Sequence, residues 1–205
     1  MEPKWLDWAR RLQALAQSGL TYALSPYDVD RYAEVREIAA EMMARGSDAD
    51  IAAIRGLFAG QEGYATPKVD LRGVVFRDDR ILLVKEREDG GWTLPGGWAD
   101  VGESPAVGTV REVREESGYE TRAVKLLAAY DRNRHGHPPI PFHAYKLFFL
   151  CDLTGGAPAG STETEGVDWF AEGSLPPLSI SRVTAAQIHR FFEHHRHPQW
   201  PTDFD

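Results

Sequence analysis

Leu94–Tyr119 reads LPGGWADVGESPAVGTVREVREESGY. Within it Glu112, Glu115 and Glu116 stand three and four residues apart, so a helix sends all three carboxylates off one face. Like charges one turn apart destabilise an isolated helix by ~0.2–0.5 kcal/mol per pair, and such a cluster becomes favourable where a cation sits among the acids. Ser104 suits the cap of this helix, Pro105 its first position, and Gly118 the left-handed turn that ends it. At 100° per residue Ala106, Val110 and Val113 share one side and the glutamates another, which predicts one packed face and one binding face. Gly108 lies in the carboxylate arc, where it lowers helix propensity by ~1 kcal/mol relative to alanine and predicts room for a ligand. Pro95-Gly96-Gly97 reads as a tight turn whose backbone can approach an ion or a phosphate.

Gly97, five residues, Glu103, seven residues and then Arg111-Glu112-Val113-Arg114-Glu115-Glu116-Ser117-Gly118-Tyr119 fill every fixed position of G-x5-E-x7-R-E-U-x-E-E-x-G-U, with U bulky and apolar. The stretch resembles the Nudix box, and the resemblance extends over roughly residues 68–195. It implies hydrolysis of a phosphoanhydride with magnesium, or manganese, held by Glu112, Glu115 and Glu116 and by the Gly97 carbonyl. Oxygen donors suit hard divalent ions, which neutralise a diphosphate, acidify a bound water and orient its attack. The resemblance pairs Glu103 with Arg111 as a structural link and looks for one more acid on a variable loop. Glu163, on the glycine-rich loop 155–166, is the expected metal or base residue, with Glu165 behind it.

A chain of 205 residues fits one large domain, or a domain with an appendage. A formal charge of −8 argues against general nucleic-acid binding through phosphate neutralisation. No apolar run of membrane-spanning length and no leader pattern at Met1 stand out, so the expectation is a soluble, cytoplasmic protein without a membrane role. Cys151, the single cysteine, has apolar neighbours and predicts a buried, inert thiol.

Residues 1–62 read as a small all-α domain and 63–205 as the catalytic one. Trp5, Trp8, Leu12, Leu15 and Ala16 recur at helical spacing before Gly19, a stop, with both tryptophans assigned to the core. Val29, Tyr32, Val35, Ile38, Ala39 and Met42 predict a second helix from about Asp28 to Arg45, ending at Gly46. Ser47-Asp48-Ala49-Asp50 offers a serine cap for a third helix through Phe58. Tyr22 and Arg31, near the entry to the second helix, are candidates to reach a ligand. Three short helices are marginal alone, so they should pack on the next domain or on a second copy of the chain.

Strands are predicted at Val69–Phe76, Ile81–Val84, Trp92–Leu94, Ala123–Tyr130, Ala144–Leu153 and Val167–Phe170, and a closing helix over Arg182–Arg196. Pattern and resemblance together give an α/β fold, an α/β/α sandwich of Nudix type with a mixed sheet. Residues 131–143 are too rich in proline for a strand interior and read as a substrate loop, with His137 a candidate contact. His189, His194, His195 and His197 read as the solvated side of the last helix. Trp98 and Trp169 offer faces for a base or a choline cation.

The N-terminal WxxRLQALAQxGLTY, the segment Arg134–Pro139 and Tyr145–Cys151 sharpen the resemblance to the CDP-choline and UDP-X diphosphatase group, whose members are similar to homodimers joined through N-terminal helices. The reaction implied is cleavage of nucleoside diphosphate-X compounds to a nucleoside monophosphate and phospho-X. The ADP-ribose subgroup is expected to carry a proline at a set distance past the box; near there this chain has Asn133, with prolines arriving only at Pro138. ADP-ribose or RNA 5′-end hydrolysis, and a nucleotide-binding regulator without turnover, are the alternatives.

Overall fold

The structure is a computed structural model that describes residues 3–47 and 49–205. The chain forms two compact units: Met1–Pro67 with Pro139–His143, and Lys68–Pro138 with Ala144–Asp205.

The first unit contains α1 (Lys4–Tyr22), α2 (Pro26–Ser47) and α3 (Ile51–Ala59). Its core joins Leu6, Ala9, Ala39, Ala40, Met43, Ile54 and Phe58. Two expected stops are instead contact points between helices. A Cβ on Gly19 would lie 2.4 Å from the Tyr32 ring, and one on Gly46 2.4 Å from the Trp5 ring, so each glycine admits an aromatic ring of the other helix. Both helices run on past these glycines. Trp8 is 51 % exposed rather than core, because the buried stripe of α1 runs through Leu6, Ala9, Gln13 and Ala16. Trp8, Leu15 and Tyr22, spaced by seven, form an exposed stripe, and Val29, Tyr32 and Ile38 on α2 are exposed as well. The cap of α3 is Asp50, which accepts the Ala52 N–H. Ser47 closes α2 by donating to the Met43 carbonyl, and Asp48, part of the expected cap, lies outside the described residues.

The second unit is an α/β sandwich. Its strands are β1 (Lys68–Arg77), β2 (Arg80–Glu86), β3 (Trp92–Thr93), β4 (Tyr119–Asp131), β5 (Ala144–Gly156), β6 (Thr164–Ala171) and β7 (Asp203–Phe204), with helices α4 (Pro105–Ser117) and α5 (Ala185–Arg196). The sheet order is β3-β2-β1-β5-β4-β7, with β6 on β2. It is mixed, since β1 and β5 run parallel while β4 and β5 run antiparallel. Asp78 and Asp79, both at positive φ, close the β1–β2 hairpin with the turn whose twist matches paired strands. Alternation along the strands splits the core. Val74, Ile81, Leu83 and Phe148 pack with Ile188, Phe191 and Phe192 of α5, whereas Val75, Leu82 and Cys151 pack with Val113 of α4. Burial pushes the Cys151 thiol up to about 12, which fits an inert core residue.

Three features depart from the sequence reading. β4 begins directly after Gly118, because Tyr119 and Thr121 turn inward while Glu120 and Arg122 stay outside. α5 starts at Ala185, where Thr184 and Gln187 form a reciprocal capping box; Arg182 precedes it and instead grips Glu86 at 3.1 Å. His194 is 2 % exposed and bonds Asp203 at 3.0 Å, so it belongs to the interior. No helix among the described residues is long and apolar enough to cross a membrane.

Candidate active site

α4 begins at Ser104, whose hydroxyl accepts the Val107 N–H, has Pro105 in its first turn, and ends on Gly118 at φ 75°. In the turn before it, Gly96 has φ 142°, and a Cβ there would stand 2.0 Å from the Leu71 carbonyl. Only glycine lets the turn lie this close to β1. The Gly96 N–H donates to Glu116 Oε2 at 2.8 Å, and the Gly97 carbonyl accepts Leu71 N–H at 2.8 Å. One of the two lone pairs of that carbonyl therefore already ties the turn to the sheet.

Arg111 is the cation among the acids. It reaches Glu103 at 3.0 and 3.1 Å, Glu112 and Glu115 at 2.9 Å each, and Asp100 at 3.1 Å. These bonds, those to Glu103 first, raise its pKa further. The three glutamates differ in depth: Glu115 is exposed, Glu112 half-buried and Glu116 only 4 % exposed. Burial pushes Glu116 up to about 7, against the Arg72 charge and the Gly96 N–H. Burial also raises Glu112, although its bond to Arg111 opposes the shift. Gly108 does not leave room for a ligand as its place in the arc suggests; a Cβ there would meet Leu71 at 2.9 Å, so the glycine serves packing of α4 on β1.

These groups border a cleft of about 540 Å³, lined by Gly97, Trp98, Arg111, Glu112, Glu115, Glu116 and the segment Ser161–Glu163. Four carboxylates and one guanidinium make it strongly acidic. A Cβ on Gly97 would come 3.3 Å from Glu112 Oε1, filling the gap between turn and carboxylate. The donors are all oxygen, so the set fits a hard divalent ion of the magnesium or manganese kind. Among the described residues no three acids already converge as a finished cage, because Arg111 stands between Glu112 and Glu115. A second cavity of about 650 Å³, in the helical unit, is walled by Trp5, Leu6, Met43, Ile54 and Ile140 and offers no acid for such chemistry.

A NUDIX domain model matches residues 67–191, over β1–β6, α4 and the cleft. The chain belongs to the Nudix family. A second model, described as a UDP-X-like, N-terminal oligomerisation domain, matches residues 3–58. A Bacillus subtilis protein described as "Putative ADP-ribose pyrophosphatase YjhB" is 46 % identical over 205 residues, covering all of this chain and 99 % of its own. The crystal structure of a UDP-X diphosphatase, 30 % identical, covers 98 % of each chain with a TM-score of 0.64. That of an ADP-ribose pyrophosphatase from Streptococcus suis, 40 % identical, covers 68 % of this chain and 100 % of its own, with a TM-score of 0.63. The protein is thus a Nudix hydrolase acting on phosphorus anhydrides.

The cleft brings Nudix-box residues Gly97, Glu112, Glu115 and Glu116 together with Trp98 and Glu163. Trp98 is 49 % exposed at its wall. Other candidates lie elsewhere. Glu165 is held by Lys85 at 2.6 Å and does not border the cleft. His137 is buried, donating through Nδ1 to the Ile180 carbonyl at 2.8 Å and accepting from Gln187 at 3.1 Å. Burial lowers it to about 4, so it is a neutral structural ring rather than a substrate contact. Trp169 is likewise internal, its indole N–H on the Tyr119 hydroxyl at 3.1 Å and its face under Arg77. Tyr22 and Arg31 belong to the helical unit, Tyr22 exposed and Arg31 paired with Asp28 at 2.8 Å.

Sequence reasoning missed a buried charged group behind the turn. Arg72 Nε donates to Asp70 at 2.7 Å, Arg72 Nη1 to the Leu94 carbonyl at 3.0 Å, and Lys146 Nζ to Asp70 at 2.6 Å. Burial opposes the charge of Asp70, yet Arg72 and Lys146 hold it below the usual carboxylate range. Burial brings the Lys146 ammonium down to about 8. Opposite charges at i and i+2 in the apolar run VDLRGVVF were the available signal, since both must leave one face of the strand.

Proposed function

We propose that this Nudix hydrolase cleaves nucleoside diphosphate-linked compounds, of the CDP-choline and UDP-X type, to a nucleoside monophosphate and phospho-X, with magnesium as its ion. The observation that carries the reading is the cleft itself, where an excess of carboxylates meets an exposed indole and a loop acid. Glu112 and Glu116, with Glu115 and a lone pair of the Gly97 carbonyl, are the groups that would hold the ion. When bound, the ion neutralises diphosphate oxygens and lowers the pKa of a water. Trp98 offers a flat face for the base, a contact of ~1–3 kcal/mol. Glu163 accepts the proton of the attacking water while the new P–O bond forms. The anhydride P–O bond then breaks, and its electron pair leaves on the departing phosphate.

The helical domain, residues 1–62, serves in this reading to join two copies of the chain, leaving 63–205 to the chemistry. The exposed stripe Trp8, Leu15, Tyr22 supports it, as does the description of the family model that matches there. Sedimentation should give a dimer that Leu15→Glu splits, and a monomeric parent protein would sink the idea. ADP-ribose is the second substrate reading, favoured by the names of the Bacillus and Streptococcus relatives.

The test is incubation with CDP-choline, UDP-glucose and ADP-ribose, each with and without magnesium, with products identified by mass. Magnesium-dependent release of a nucleoside monophosphate is expected and ranks the three. Failure to cleave any of them over hours would contradict the reading.

A further inference from the structure

The last four carbonyls of a helix lack partners within it. At the end of α4 one is filled locally, Gly118 N–H donating to Arg114 O at 2.9 Å. Two others are filled by the loop between β5 and β6 and by the first residue of β6. Ala159 N–H donates to Ser117 O at 2.9 Å, and Thr164 Oγ1 donates to Glu116 O at 2.8 Å. Gly118 permits this approach, because a Cβ there would lie 2.4 Å from the Ala157 carbonyl. The loop that carries Glu163 is therefore the C-terminal cap of the helix that carries Glu112 and Glu116.

Where the loop joins β6 two hydroxyls complete each other. Thr164, fully buried, accepts Ser161 N–H at 3.2 Å and faces the Ser161 hydroxyl at 3.0 Å. Ser161 Oγ accepts the N–H of Glu163 at 3.1 Å and of Thr164 at 3.0 Å. With the Ser161 hydroxyl donating to Thr164, the single donor and both acceptor sites of each are in use. The Glu163 carbonyl accepts Arg87 N–H at 3.0 Å from just beyond β2. Glu163 is thus held by its N–H on one side and its carbonyl on the other, and the residue borders the cleft.

We propose that Thr164, acting through Ser161, is a positioning residue that fixes Glu163 against the carboxylate face of α4. The proposal rests on the reading of Glu163 as the acid that takes the proton of water. A 1 Å misplacement of such a group costs up to ~10²-fold in rate, so a hydroxyl far from the phosphorus can govern turnover.

Thr164→Val removes the hydroxyl at constant shape, Thr164→Ser keeps it, and Ser161→Ala removes the acceptor beneath Glu163, serving also as the second variant should Thr164→Val fail to fold. With magnesium and the best-cleaved of the three panel compounds, Thr164→Val should lower kcat by ~10–100-fold with KM little changed, and Thr164→Ser should restore it. In a Glu163→Gln background Thr164→Val should cost less than about twofold more, because the group it positions is gone. Wild-type kcat in Thr164→Val, or an undiminished loss in the Glu163→Gln background, would overturn the proposal. A Glu163→Gln enzyme as active as the parent would remove both the reading of Glu163 and the reason for positioning it. Hydrogen exchange at the Glu163 amide needs no substrate and separates the two: it should quicken at least ~10-fold in Thr164→Val, and unchanged exchange would contradict the clasp even if no panel compound were cleaved.

Discussion

Asp203 and Glu116 are both carboxylates set against buried neighbours, but their surroundings treat them oppositely. Asp203, on the last strand, accepts from Tyr130 at 3.1 Å, from His194 at 3.0 Å and from Arg190 at 2.5 and 2.8 Å. These bonds, Arg190 foremost, hold its carboxyl well below the usual range although burial opposes them. Glu116 has the Gly96 N–H and a share of the Arg72 charge, and burial lifts it to about 7. A fully matched carboxylate is scaffold. One kept short of partners inside a cleft retains lone pairs for something the chain does not itself supply, and that difference, more than acidity, separates the site from the rest of the charged surface.

The sharpest way to break the comparison is to remove each charge. Glu116→Gln keeps the acceptor for Gly96 and should lower kcat by more than ~10²-fold, since even groups behind a metal ligand are worth 10–100-fold; magnesium-supported turnover checks it. Without metal the same change should stabilise the protein. A carboxyl raised to about 7 favours the folded state most below the unfolded pKa, and that stability falls as pH rises through about 7. Chemical denaturation should therefore find metal-free Glu116→Gln more stable than the parent by about 3 kcal/mol at pH 8, with the gap closing near pH 4.5. Asp203→Asn should do the reverse. It should lose about 2 kcal/mol near neutrality, because a depressed carboxyl adds stability above its unfolded pKa and gives it up as pH falls, while kcat/KM stays within about twofold. Glu165→Gln, outside the cleft, should change kcat/KM least, and its loss of the Lys85 pair should leave the denaturation midpoint almost unmoved, because an exposed pair is screened by solvent.

The same contrast separates what was legible in the sequence from what was not. The ends of α4 were legible because Ser104, Pro105 and Gly118 act locally, and the strands were legible from their alternation. Depth was not. Spacing puts Glu112, Glu115 and Glu116 on one arc, but only tertiary packing buries Glu116 and leaves Glu115 outside. Spacing likewise put Trp8 and Leu15 in one apolar set with Ala16 on α1 although only Ala16 is buried, and made His194 one of four surface histidines although Asp203 draws it inside. Two-residue β7 has no period to detect; it exists because Ala128 and Ala129 offer it a free edge. Gly19 and Gly46 looked like punctuation, since a glycine that admits a neighbouring ring has the same letter as one that ends a helix. The Ser161–Thr164 clasp is short and polar, and nothing local distinguishes it from a solvated loop.

The central claim is that the acid face of α4, with Glu116 at its buried end, holds a divalent ion. Thermal melts at pH 8, with magnesium titrated into the parent and into Glu116→Gln, test it most directly. An ion bound only by the folded state adds about 2.7 kcal/mol at a hundredfold excess over Kd, a rise of about 5 °C or more for a chain of this size. The parent should gain it and Glu116→Gln should stay flat. Equal gains in both proteins, or none in the parent, would contradict the account.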